Sequence, residues 1–177
     1  MDILPAGPEH VADIARLATI VWRAHYPGII SHEQIDYMLA KMYDLDVLRS
    51  EIAAGITYLR AVENGQLFGF AAYGPANNEI KLHKLYVDRQ HQRRGIGKAL
   101  INHVERACDG RALMLTVNRR NHKAIAAYQK HGFVIRESVV ADIGDGFVMD
   151  DYVMAKATKA AVVSPADRSA SELKPDP

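Results

Sequence analysis

One cysteine, Cys108, stands in the whole chain of 177 residues, so no internal disulfide can form. It falls at the end of a helical pattern, on the apolar row of Ile101 and Val104, where packing rather than nucleophilic chemistry is expected. A strong excess of either charge is missing too: 22 basic residues face 21 acidic ones, for a formal net of +1. That balance argues against a dedicated nucleic-acid binder, which carries a basic stripe. No run approaches the roughly 18 apolar residues that a membrane span needs, so no membrane partner is expected. The opening "MDILPAGPEH" lacks both the basic and the apolar parts of a signal peptide, and the expected compartment is the cytoplasm. No internal repeat is visible. What remains is the 49% hydrophobic, 24% charged composition of a globular chain, long enough for one domain with a real core.

Residues 8–25 carry Val11, Ile14, Ala15, Ala18, Val21 and Trp22 at helical spacing, and Pro27-Gly28 ends the pattern. Ser31 to Gln34 fits a capping box for a second helix bearing Ile35, Met38, Leu39 and Met42. A third helix, with Leu45, Leu48 and Ile52, stops at Gly55. On this reading the three helices precede any strand. "ITYLRAVE" and "QLFGFAAY" flank Asn64-Gly65, the dipeptide best suited to a type I′ turn, which predicts a hairpin over residues 56–73.

A strand at 79–87, a glycine-containing turn and a helix to about 107 follow, then the apolar strand "ALMLTV". Asn121 is placed to cap a helix over 122–131, bounded by Gly132. "GFVIRESV" and "FVMDDYVMAK" read as a closing strand pair. Residues 1–156 thus form a single α/β (α+β) domain, and 157–177, rich in Ala, Ser, Pro and charge without periodicity, read as a disordered tail.

The turn "HQRRGIGKAL" is the chemically loaded stretch. Gly95 and Gly97 remove Cβ atoms where a strand gives way to a helix, so backbone N–H groups can converge on an anion at the helix N-terminus. From Lys81 to Arg94 five cations (Lys81, Lys84, Arg89, Arg93, Arg94) face one anion, Asp88, which again favours a phosphate. A P-loop is excluded because Ala99, not Ser or Thr, follows Gly97-Lys98. A dinucleotide fingerprint is excluded because the pattern is Gln92-x-x-Gly95-x-Gly97 after a hairpin, not three glycines opening a βαβ unit.

Gln92-Arg93-Arg94-Gly95-Ile96-Gly97 after "LHKLYV" resembles the acetyl-CoA motif of the GCN5-related N-acetyltransferases. "LTVNRRNHKAIAAYQKHGF", residues 115–133, is similar to that family's strand–Asn–helix–Tyr–Gly-Phe segment, in the right order and spacing. The resemblance covers roughly residues 8–156. It implies a mixed, mostly antiparallel sheet flanked by helices and splayed between its fourth and fifth strands, where the pantetheine arm of acetyl-CoA enters. It also implies that main-chain groups of Leu85, Tyr86 and Val87 meet the pantetheine amides. By the same resemblance the 92–98 turn (Gln92, Arg93, Arg94, Gly95, Ile96, Gly97, Lys98) cradles the pyrophosphate, and Asn121 contacts the arm.

In this family's usual reaction an amine attacks the thioester directly, and the co-substrate is acetyl-CoA, with no metal. A lysine-like ammonium costs roughly 4.6 kcal/mol to neutralise at pH 7, so a base helps. The resemblance puts Tyr128 beside the thioester sulfur as the acid. Where many relatives carry a glutamate this chain has His83, able to accept a proton near neutrality, and Glu79 is the second candidate, with water or no dedicated base as alternatives. His25, His32 and His91 read as surface residues. Residues 31–54 hold five anions (Glu33, Asp36, Asp44, Asp46, Glu51) against two cations, in helices that the resemblance places along the acceptor groove. "WRAHYPGIISHEQIDYMLAKMY" is similar to the polyamine-type branch. The expected activity is therefore acetylation of a primary amine, a polyamine or other small cation. A protein or peptide N-acetyltransferase and a non-catalytic acyl-CoA sensor are the competing readings, and monomer and homodimer are both open.

Overall fold

The computed structural model describes residues 1–159. A strand that the helical reading passes over comes first: β1 (Asp2–Ala6) precedes the helices and pairs antiparallel with β2 (Thr57–Glu63), Ile3 facing Ala61. Its five residues are too short for a clear alternation, and Pro5 weakens the pattern; an edge strand tolerates a proline that a central strand would not. The expected tail from Ala160 onward lies outside the described residues.

A short helical turn at Pro8–His10 leads into α1 (Val11–His25), followed by α2 (His32–Tyr43) and α3 (Leu45–Ala53). Ser31 caps α2, its hydroxyl accepting from Gln34 N–H at 3.1 Å. Only the Ser31 half of the expected capping box forms among the described residues; the Gln34 amide is turned toward β7 (Phe147–Lys156), its Nε2 donating to the Val148 carbonyl at 2.9 Å. Asp44 caps α3 by accepting from Asp46 N–H and Val47 N–H. The hairpin of β2 and β3 (Gln66–Ala76) turns at Asn64-Gly65 with φ of 52° and 77°, the positive pair that a type I′ turn demands.

β4 (Glu79–Val87), α4 (Ile96–Ala107), β5 (Leu113–Asn118), α5 (His122–Lys130), β6 (Val134–Gly144) and β7 (Phe147–Lys156) complete the described chain. The seven strands are ordered β1-β2-β3-β4-β5-β7-β6. Every pairing is antiparallel except β4 with β5. Successive side chains point to opposite faces of a strand, so the sheet feeds two cores. Tyr58 and Phe70 pack under α1, α2 and α3 with Ile14, Trp22, Ile35 and Leu48. Leu59 and Ala71, one residue further along, pack with Leu100 and Val104 of α4 and Ile125 of α5. Cys108 is fully buried in this second core, as its place on the apolar row predicts.

Within the described sheet, the single parallel pairing is also the shortest. β4 meets β5 only at Ile80 with Leu113 and Lys81 with Met114, and past these pairs the strands part. The mixed sheet is thus open between its fourth and fifth strands, as expected.

Candidate functional site

A cavity of about 490 Å³ lies in that opening. Four elements converge on it: the free side of β4 from Leu82 to Val87, β5 from Leu115, the first turn of α4, and α5. α1 and α2 close its far end. Leu85, Tyr86 and Val87 pair with Ala71, Phe70 and Gly69 of β3 along one edge. Their other edge has no β5 partner, which is where an extended amide-bearing arm can add as a strand.

At the mouth, Gly95 precedes α4 with φ of 80° and ψ of 0°, a left-handed conformation in which a side chain is strained. It provides no side-chain cap, so the first-turn N–H groups of this helix keep their capacity for an anion. A Cβ at Gly97 would sit 3.9 Å from Val87 Cγ2, an ordinary contact, so the protein itself does not require glycine there. A side chain there would point toward the mouth of the opening without a clash inside the protein. Arg93, exposed with φ of 66°, and Lys98 flank the turn and line the cavity.

The remaining cations are less free than the sequence suggests. Arg94 Nη2 lies 3.2 Å from Glu63 Oε2, with the guanidinium over the Phe68 ring. Lys84 is 3% exposed, pairs with Glu51 and sits over the Tyr43 and Tyr58 rings. Gln92 bridges the turn to its neighbours, its Nε2 donating to the Val87 carbonyl and its Oε1 accepting from Lys123 Nζ.

Asn121 caps α5, its Oδ1 accepting from Ala124 N–H at 3.2 Å. The same oxygen lies 3.1 Å from His25 Nε2, and among the described residues the Asn121 Nδ2 donor is uncommitted. Tyr128, on the cavity side of α5, packs edge-on against Phe133. Burial pushes the pKa of its hydroxyl up to about 12, which keeps it a proton donor at neutral pH. That hydroxyl has no hydrogen-bond partner among the described residues.

His83 is exposed at the cavity rim. Partial desolvation, then the charges of Lys81 and Lys84, hold its pKa below the ordinary histidine value, while Glu51 pulls the other way. The imidazole is therefore neutral near pH 7. Glu79 lies outside the cavity lining, and both its oxygens accept from Arg136, at 2.9 and 2.7 Å. These paired hydrogen bonds from the guanidinium lower its pKa.

Three of the structure's placements differ from the sequence reading. His25 is half-buried and lines the cavity rather than the outer surface, held by its contact with Asn121, the residue that caps α5. His91 is also half-buried, stacked on Phe68 at 3.9 Å between ring centroids and 2.7 Å from Asp88 Oδ2; His32 is exposed as expected. None of the five acids of residues 31–54, Glu33 included, lines the cavity: Asp36 meets Arg23, Asp46 meets Arg49, Asp44 caps α3, and Glu51 holds Lys84. What α2 gives to the cavity is Gln34, Met38 and Met42.

Sequence reasoning misses Trp22 and Tyr26, which stack at 4.3 Å on the acceptor side, and Asp151 of β7. A signal for Asp151 is present: Met149, Asp151, Val153 and Ala155 share one strand face, and an acid among inward-facing apolar residues is out of pattern.

The family model described as "Acetyltransferase (GNAT) family" matches residues 14–133. A spermidine N(1)-acetyltransferase of Thermoplasma acidophilum is 26% identical over 158 residues, which are 85% of this chain and 96% of that protein. A spermine/spermidine N(1)-acetyltransferase of Bacillus subtilis is 32% identical over 39% of this chain and 53% of its own. Among solved structures, the PaiA N-acetyltransferase of Thermoplasma acidophilum in complex with coenzyme A superposes with a TM-score of 0.74 at 25% identity, covering 89% of this chain and 99% of that one.

Proposed function

The chain belongs to the acetyltransferase (GNAT) family and is an acetyl-CoA-dependent N-acetyltransferase, and from that premise we propose that its acceptor is a small polyamine-type amine. The observation that carries this reading is the joined cavity: the opening between β4 and β5 runs from the Gly95 turn to the aromatic wall of Trp22 and Tyr26. Aromatic faces attract ammonium groups, by about 0.5–1 kcal/mol when exposed and about 2 when desolvated.

The far end of the cavity supports a small acceptor over a peptide. α2 is fastened to the β6–β7 hairpin by Gln34 to the Val148 carbonyl, by Tyr37 and Lys41 to the Ile143 carbonyl, and by the Tyr37–Phe147 ring contact. An extended peptide would need that closure to open. The names borne by relatives, spermidine and spermine/spermidine acetyltransferases, agree with a polyamine.

In the reaction a C–N bond forms between the acceptor amine and the acetyl carbonyl while the C–S bond breaks. The N–H groups at the start of α4 hold the pyrophosphate, aided by the helix dipole by roughly 0.3–1 kcal/mol, or up to about 2 where sheltered. The free edge of Leu85, Tyr86 and Val87, with Asn121 Nδ2, orients the pantetheine arm. Neutral His83, directly or through water, takes the proton that the amine must lose; the engagement of Glu79 with Arg136 disfavours Glu79 in this role. The Tyr128 hydroxyl donates to the departing sulfur.

The test is acetyl-CoA turnover, read as free thiol, against polyamines, amino acids, aminoglycosides and N-terminal peptides. Turnover of spermidine or spermine with the highest kcat/KM of the panel is the expected result. A preference for peptides or amino acids would overturn the acceptor assignment.

A further inference from the structure

Asp151 is a buried acid that the described residues leave without a bonded partner at one oxygen. Its side chain lies on β7 opposite Asn118 of β5, is 3% exposed as a residue, and lines the cavity. Its Oδ1 has no hydrogen-bond partner among the described residues. The adjacent Asp150, by contrast, is half-exposed and meets Arg119 Nη1 at 3.2 Å. A carboxylate taken out of water without a partner is unfavourable, and proteins retain such groups where something else completes them.

We propose that Asp151 binds a protonated amine of the acceptor, so that the cavity's selection for cations resides in this carboxylate and not in the acids of α2 and α3. This rests on the acetyltransferase reading of the cavity and adds to it the group that recognises the substrate. The neighbourhood fits an alkylammonium. Burial first, and Asp151's charge among the smaller contributions, raise the pKa of the Tyr26 hydroxyl, so the acid lies within electrostatic reach of the Trp22–Tyr26 wall. Carboxylate and aromatic faces together match a cationic head on a methylene chain.

The other charged and titratable groups around the cavity do not satisfy Asp151. Lys81 of β4 acts on it only through space and lowers its pKa, less than desolvation and Asp150 raise it; the balance is about 6. His83, Lys84 and Tyr86 of β4, His25 of α1 and Tyr26 just after it, and Tyr128 and Lys123 of α5 line the same cavity, and none is bonded to Asp151 Oδ1. Near pH 6 an arriving ammonium therefore draws Asp151 toward its ionised form and releases a proton.

Calorimetric titration of spermidine into the protein saturated with coenzyme A, which cannot react, tests this. Asp151→Asn is expected to weaken spermidine binding at least tenfold at pH 7.5 while leaving coenzyme A affinity within twofold. Wild type titrated at pH 6 in two buffers of different ionisation enthalpy is expected to release a fraction of a proton. That release should fall in Asp151→Asn and persist in His83→Gln, which separates it from the histidines. Unchanged spermidine affinity in a folded Asp151→Asn overturns the proposal, and so does wild-type binding with no proton release, whatever the variant does. If wild type neither binds nor acetylates any amine of the panel, the polyamine reading falls together with this one. If wild type acetylates spermidine and Asp151→Asn does so with an unchanged KM, this inference alone falls.

Discussion

His25 Nε2 and Asn121 Oδ1 lie 3.1 Å apart, joining the last turn of α1 to the first turn of α5 across 96 positions of sequence. The contact ties the acceptor side of the cavity to the helix that carries Tyr128. Burial, more than the bond to Asn121 offsets it, lowers the His25 pKa, so the bond is made by a neutral ring at neutral pH. Asn121→Ala removes this bond and the α5 cap together. Loss of the cap alone costs about 1 kcal/mol, a fall in Tm of roughly 2–4 °C for a chain this size. His25→Ala spares the cap and should move Tm less. Thermal melts of the two variants, with KM for acetyl-CoA raised only in Asn121→Ala, check the division of labour.

The two glycines of the turn should separate cleanly. Gly95→Ala forces a side chain into a left-handed conformation and should lower Tm, by an amount corresponding to about 1 kcal/mol. Gly97→Ala meets nothing closer than 3.9 Å in the protein and should leave Tm unchanged or slightly higher. Its acetyl-CoA affinity should nevertheless fall at least tenfold, and Gly97→Val further. Calorimetry that finds Gly97→Ala binding as tightly as wild type would remove the pyrophosphate from this turn.

Helix and strand periodicity in the sequence locates the elements from α1 to β7, and the Gln92–Gly97 pattern locates the mouth of the site. What escapes a reading of the sequence is set by contacts distant along the chain. β1 exists because β2 offers it an edge, and nothing within "DILPA" announces that. The engagement of Asp36 and Glu51 depends on Arg23 and Lys84, 13 and 33 positions away, whose proximity a count of charges does not convey. Asp151 is written in the strand alternation, but its meaning depends on the cavity that β4 and β5 leave by parting.

Tyr128→Phe deletes one hydroxyl that bonds to nothing among the described residues, so Tm should hold within a degree or two. The kcat should fall by roughly 10²–10⁴-fold with acetyl-CoA binding nearly intact, as expected for loss of a group acting on the leaving sulfur. Single-turnover measurement guards against a rate limited by product release. A kcat within threefold of wild type, with chemistry rate-limiting, would leave the tyrosine a packing residue.

His83 and Asp151 should leave different marks on the pH profile. The His83 pKa lies below its ordinary value, so the proton-accepting form dominates down to mildly acidic pH. His83→Gln should lower kcat and remove its acidic limb, whereas Glu79→Gln should leave that limb in place. Asp151 titrates at about 6, above an ordinary carboxyl, so the acceptor-free fold favours its protonated form. The stability that this gives at low pH is lost as pH rises from the ordinary carboxyl range through about 6, and amounts to no more than about 3 kcal/mol. Over pH 4 to 7 the Tm of wild type, relative to that of Asp151→Asn, should therefore decline. Parallel profiles would mean that the carboxyl ionises without penalty.

Salt should distinguish the outer acids from Asp151. Attraction by exposed acids is screened as the Debye length shrinks from about 10 Å at 0.1 M to about 3 Å at 1 M, whereas a pair formed inside the cavity is screened much less. Asp36 is exposed and already faces Arg23, and exposed pairs contribute about 1 kcal/mol or less. Asp36→Lys should therefore change the KM for spermidine by less than twofold, and raising salt from 0.1 to 0.5 M should raise it only modestly. In Asp151→Asn the KM should already be high at low salt, with a salt dependence no steeper than that of wild type, since only long-range steering remains. A steep rise with salt in wild type, matched by a large effect of Asp36→Lys, would return cation capture to the outer face of α2 and α3.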